Sequence, residues 1–144
     1  MSLFLVQPAA APDPRIILVA EDEDMVRLLL TRVLSNAGYR TLEARNGEEA
    51  LQMAIFAHPY LHLVITDVVM PKLDGRTLGH RLNDRYPALP VLYISAHPID
   101  DLFHRGAPNP TAPFLQKPIL EDELLSMVSR LLSTSNAPAP VRIG

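Results

Sequence analysis

Cysteine is absent from the 144 residues, which excludes disulfides and thiolate chemistry. A surplus of basic charge is absent too. The formal net charge is −3 and no basic block occurs, so direct binding of nucleic acid is not expected. No apolar stretch approaches the ~20 residues that a helix needs to cross a bilayer. The opening "MSLFLVQPAAAPDP" has no positively charged start, and its apolar run, Leu3 to Val6, is too short for a secretory signal. These absences point to a cytoplasmic domain with no membrane contact.

What is present is the composition of a globular protein, 48% apolar and 20% charged, at a length that suits one domain with a real core. Two margins differ. Residues 1–14 and 133–144 are rich in proline, alanine and small polar residues, the composition of linkers or of segments added for expression. The expected domain spans 15–132.

Within it, short apolar runs alternate with helical patterns. "RIILVA" (15–20), "YRTLEA" (39–44), residues 61–66, "PVLYIS" (90–95) and "FLQ" (114–116) read as strands. Between the first two, Val26, Leu29, Leu30, Val33 and Ala37 recur at helical spacing, and Gly38 offers a stop. Asn46 with Glu49 reads as a capping box opening a helix through Ala50, Leu51, Ala54 and Ile55. Asp74 caps a third helix carrying Leu78, Leu82 and Tyr86. A short fourth is expected over 99–105, inside a proline-rich stretch. The last places Leu124, Leu125, Val128, Leu131 and Leu132 on one side, behind an acidic first turn. Tyr60, Tyr86 and Tyr93 read as partial core, and the five histidines lack metal-binding spacing.

Strand and helix alternating in this way predict an α/β fold, a doubly wound parallel sheet with helices on both faces. Successive crossovers are right-handed, so the strands point one way and ligands gather at their carboxyl ends. Those ends carry the chemistry. "IILVAEDED" (16–24) delivers Glu21, Asp22 and Glu23, "LVITDVVMP" (63–71) delivers Asp67, the fourth strand ends in Ser95, and Lys117–Pro118 follows the fifth. Taken singly, each has a bland reading as a helix start, a turn or a surface residue. Together they form a crevice in which two carboxylates 4 Å apart repel by about 4 kcal/mol at an effective dielectric near 20. Magnesium suits such a crevice, since it accepts one or two carboxylates, a carbonyl, waters and a phosphate oxygen. Lysine and serine suit the other oxygens of a phosphoryl group, and a carboxylate can accept that group as an acyl phosphate.

This pattern resembles the receiver domain of two-component response regulators, and the likeness runs from residue 15 to about 132. It rests on "AEDED", "TDVVMPKLDG", "YISA" and "FLQKP" standing in that order at the strand ends. The resemblance implies a five-stranded flavodoxin-like (CheY-like) sheet in the order 2-1-3-4-5. It implies Asp67 as phosphoacceptor and Asp22 as main magnesium ligand. Glu21 would stand beside it through water, and the backbone carbonyl of Val69 would complete the metal's protein ligands. Ser95 and Lys117 would contact the phosphoryl oxygens, and the Lys117–Pro118 bond is often cis in such domains. Ser95 and Phe114 would form the switch, with phenylalanine in place of the commoner tyrosine. Val69 and His97 would tune dephosphorylation.

The implied partner is a sensor histidine kinase or a histidine phosphotransfer protein, and a homodimer is compatible with the pattern. "APFLQKP" is similar to receivers attached to sensor kinases. The implied function is a phosphorylation switch that assists its own phosphorylation and dephosphorylation, not a turnover enzyme. Three rivals stand beside it. An aspartate-nucleophile phosphohydrolase would want a second acid where Val69 stands. A phosphorylation-independent pseudo-receiver would not need the intact acid pair, and a flavin-binding domain would want a phosphate loop after the first strand.

Overall fold

The computed structural model describes residues 15–98 and 112–134. Along them run β1 (Ile16–Ala20), α1 (Asp24–Asn36), β2 (Arg40–Ala44), α2 (Gly47–Ala57), β3 (Leu61–Asp67), α3 (Gly75–Arg85), β4 (Val91–Ser95), β5 (Phe114–Gln116) and α4 (Glu121–Thr134). The strands form one parallel sheet in the order β2-β1-β3-β4-β5. This is the expected doubly wound architecture. β3 lies at its centre and is buried along its whole length, which is why Leu63, Val64 and Ile65 follow one another without polar alternation. A register shift opens where β1 meets β3, and His62 fills it by accepting the Ile16 N–H on Nδ1 at 3.2 Å.

Local signals set the helix ends. Asn46 accepts from the Glu49 N–H at 2.9 Å, and Asp74 from the Thr77 N–H at 2.8 Å. The Glu49 carboxylate closes its half of the capping box one residue early, on the Arg45 N–H at 2.8 Å. Gly38 takes φ 100° just past α1, a conformation that glycine enters without steric cost. α4 continues through Thr134, two residues into the stretch expected to be tail. Lys117–Pro118 is cis, as the resemblance implied, and so is His58–Pro59.

The sheet separates two apolar layers. One gathers Leu30, Leu34, Leu124, Val128 and Leu132 from α1 and α4 over Ile17, Val19, Leu63, Ile65, Leu92 and Ile94. The other sets Ala50, Ala54, Leu78 and Leu82 of α2 and α3 against Leu18, Ala20, Ala44, Leu61 and Val64.

Four expectations need adjustment. On α1 the buried positions are Arg27, Leu30, Thr31 and Leu34, while Leu29 faces water. In "MVRLLLTRVL" both the Met25–Leu28–Leu29 side and the Leu30–Leu34 side offer apolar residues at helical spacing, so apolar spacing alone does not select the inward face. Ile55 and Tyr60 are exposed, because α2 meets the sheet through Ala50 and Ala54 and Tyr60 precedes β3 in a turn. β3 runs one residue further than expected and includes Asp67 itself. The expected helix over 99–105 lies outside the described residues, as do His104 and residues 1–14.

Candidate functional site

Each strand end delivers its residue for a structural reason. Beyond β1 the Glu21 N–H donates to the Ala44 carbonyl at 3.0 Å, so the acidic pair is anchored to β2. Beyond β3 the Val68 N–H donates to the Ile94 carbonyl at 3.0 Å, which keeps Asp67 in line with β4. Beyond β5 the Lys117 N–H donates to the Ser95 carbonyl at 2.7 Å, tying the lysine to the end of β4.

These anchors bring one ammonium among three carboxylates. Lys117 Nζ lies 2.7 Å from Glu21 Oε1, 2.9 Å from Asp67 Oδ2 and 3.2 Å from Glu23 Oε1. Asp67 is buried, and its second oxygen accepts from the Val69 N–H at 3.2 Å. Glu21 is fully buried. Its Oε2 accepts from the Glu23 N–H at 3.1 Å, while Oε1 has the short ion contact with Lys117 but no hydrogen bond of good geometry. Burial pushes the Glu21 carboxyl up to about 7, against the pull of Lys117 and the Glu23 N–H and with some help from the Asp67 charge. Burial disfavours the Lys117 ammonium, yet its close contacts with the Glu21 and Asp67 carboxylates outweigh that and hold it above the usual lysine range. The crevice therefore carries more negative charge than its one ammonium offsets.

Glu21, Asp22 and Asp67 can each present an oxygen within 4.8 Å of the others, with Asp22 exposed at the mouth. A small hard dication takes oxygen donors of this kind, and Glu21 Oε1, paired with the Lys117 ammonium but without a well-aligned hydrogen bond, keeps acceptor capacity for one. The residues present fit such an ion.

The remaining candidates lie around this centre. Ser95 is fully buried, and its hydroxyl oxygen accepts from the His97 N–H at 3.0 Å, leaving the hydroxyl proton free to donate elsewhere. His97 and Phe114 are half-buried, and Phe114 sits opposite Tyr93 in the β4–β5 register. Val69 turns its side chain to water, and its amide is what touches Asp67. Glu23, expected at this rim without a role of its own, shares Lys117. One residue outside the expected set also belongs here: Arg27, buried on α1, donates to the Glu21 carbonyl at 2.8 Å. Arg27 shares a helical face with Leu30, Thr31 and Leu34, and that spacing reads as inward only once packing has chosen the face.

The chain matches the response regulator receiver domain family over residues 17–129. It is 35% identical over 117 residues to the sensor kinase CckA of Brucella abortus, covering 81% of this chain and 12% of that protein. It is 34% identical over 124 residues to the transcriptional regulatory protein CssR of Bacillus subtilis, covering 86% of this chain and 54% of that one. The crystal structure of the receiver domain from the hybrid histidine kinase CckA superposes with a TM-score of 0.68 at 37% identity, covering 81% of this chain and 98% of that domain. The chain belongs to the response regulator receiver domain family of two-component signalling, and it spans about half or less of the length of these curated relatives. Receiver domains typically bind magnesium at an acidic cluster, act with kinases, phosphotransfer proteins and effector domains, and are in general not catalytic enzymes. None of the described helices is long and apolar enough to cross a membrane.

Proposed function

We propose that Asp67 takes a phosphoryl group from a phosphohistidine of a sensor histidine kinase or histidine phosphotransfer protein. The observation that carries this reading is the single Lys117 ammonium held between Glu21 and Asp67 at the mouth of an acid cluster. A carboxylate oxygen of Asp67 forms a bond to phosphorus as the bond from phosphorus to the imidazole nitrogen breaks, and the electron pair leaves with the imidazole. Magnesium held by Asp22, Asp67 and Glu21, with the Val69 carbonyl, would neutralise charge on the transferring group.

The chain's own residues do the rest. Lys117 already contacts Asp67 and is within reach of oxygens carried on it. Ser95 has a hydroxyl proton to offer them, and Phe114, on the neighbouring strand, turns inward as Ser95 is drawn toward the phosphoryl group. Val69 cannot orient water, which favours slow loss of the phosphoryl group, with His97 as the second residue bordering the path of that water. The chain thus assists its own chemistry while remaining the acceptor. α1 begins beside this site and exposes Met25, Leu28 and Leu29, an apolar stripe suited to a helical partner that presents phosphohistidine.

Incubation with acetyl phosphate and magnesium, followed by intact mass measurement, tests the reading. One added phosphoryl group, absent in Asp67→Asn, is expected. Steady release of phosphate from assorted monoesters without a stable adduct would favour a phosphohydrolase instead, and no adduct at all would favour a pseudo-receiver.

A further inference from the structure

Arg27 is the fourth residue of α1, and only 7% of it is exposed. Arginine is seldom buried unless its charge and its donors are all met. Here three arms reach three places. Nη2 donates to Asp24 Oδ1 at 2.6 Å, Nε to Glu43 Oε1 at 3.2 Å, and Nη1 to the backbone carbonyl of Glu21 at 2.8 Å. The two carboxylates offset the guanidinium charge. The third arm has a different consequence, because the Glu21 carbonyl belongs to the peptide joining Glu21 to Asp22. The N–H of Glu21 is already held by Ala44, so both backbone groups of this residue are pinned, one by β2 and one by Arg27.

We infer that Arg27 is a positioning residue for the cation site, a clamp that holds the Glu21–Asp22 peptide with both carboxylates directed toward Asp67. The clamp needs the planar fork, because its three acceptors are met by three different guanidinium nitrogens, whose spread a single ammonium nitrogen in that place would not span. This inference rests on the magnesium reading above and adds to it the residue that preorganises the ligands. Asp24 and Glu43 are exposed at the surface, so they act as outer anchors that keep the guanidinium in place.

Charge and geometry predict opposite results, which makes the clamp testable. Removing a positive charge near a dication site strengthens metal binding on Coulombic grounds. Removing a clamp weakens it, typically by about tenfold or more for partners that orient metal ligands. Magnesium dissociation constants for wild type, Arg27→Gln and Arg27→Lys, followed by amide shifts of Val68 and Val69, decide between them. We expect both variants to bind about tenfold more weakly. Tighter binding by Arg27→Gln, or unchanged binding by Arg27→Lys, would overturn the clamp. The lysine variant keeps charge and bulk, so it carries the test alone if the glutamine variant does not fold. Failure of the wild type to bind magnesium would instead overturn the metal reading itself.

Discussion

On the face covered by α1 and α4, the sheet presents Ile17, Val19, Leu63, Ile65, Leu92 and Ile94 to leucines and a valine. On the face covered by α2 and α3, alanines take many of the equivalent places and glycine brings the backbone closer still. A Cβ at Gly75 would overlap the carbonyl oxygen of Asp67, and one at Gly79 would overlap the Tyr93 hydroxyl. The first face is held by the volume of its side chains. The second is held by close approach, and that approach seats the start of α3 on the strand end that carries Asp67. The Gly75 N–H donates to the Val68 carbonyl at 2.8 Å, so helix and site loop are also tied directly. Enlargement on the second face should therefore reach the site, whereas truncation on the first should lower stability and leave the chemistry in place.

The largest effect is expected at Gly75. Gly75→Ala sets a methyl against backbone, which cannot yield as a side-chain tip can. A loss above ~4 kcal/mol in urea denaturation is expected, together with loss of acetyl phosphate labelling. Labelling at the wild-type rate in a folded Gly75→Ala protein would break the comparison. Leu34→Ala, in the wide layer, should cost about 2–5 kcal/mol while the folded protein still takes up one phosphoryl group. Loss of labelling there, at a temperature where the variant is folded, would show that the wide layer also shapes the site. Ala54→Leu should cost roughly 1–3 kcal/mol by overpacking the narrow layer, and a stabilised variant would mean that this layer holds unfilled space.

The smallest effect concerns pH. Tyr93 stands on the narrow face, and burial pushes its phenol up to about 12. The folded protein keeps this proton more tightly than the unfolded chain does. The stabilisation is complete below pH 10 and is lost as pH rises from 10 toward 12. Tyr93→Phe should flatten the decline of stability over that window, by at most on the order of 2 kcal/mol. Equal slopes for the two proteins would show that the phenol is no harder to ionise in the fold than outside it.

Several features were decided by the sequence alone, because their causes are local. Apolar runs of strand length, the caps at Asn46 and Asp74, and Gly38 after α1 each act within a few residues, and they set the order of the elements. Parallel crossovers are right-handed, so this order already placed Glu21, Asp22, Asp67, Ser95 and Lys117 at one rim. Tertiary structure decided which side of α1 faces inward, since Met25, Leu28 and Leu29 repeat at helical spacing just as Leu30 and Leu34 do. It also decided that Lys117 bridges three carboxylates and that Arg27 clamps the acid pair to β2. Lys117 is 50 residues from Asp67 and 94 from Glu23, and contacts across such separations depend on sheet register and helix packing, which no local pattern encodes.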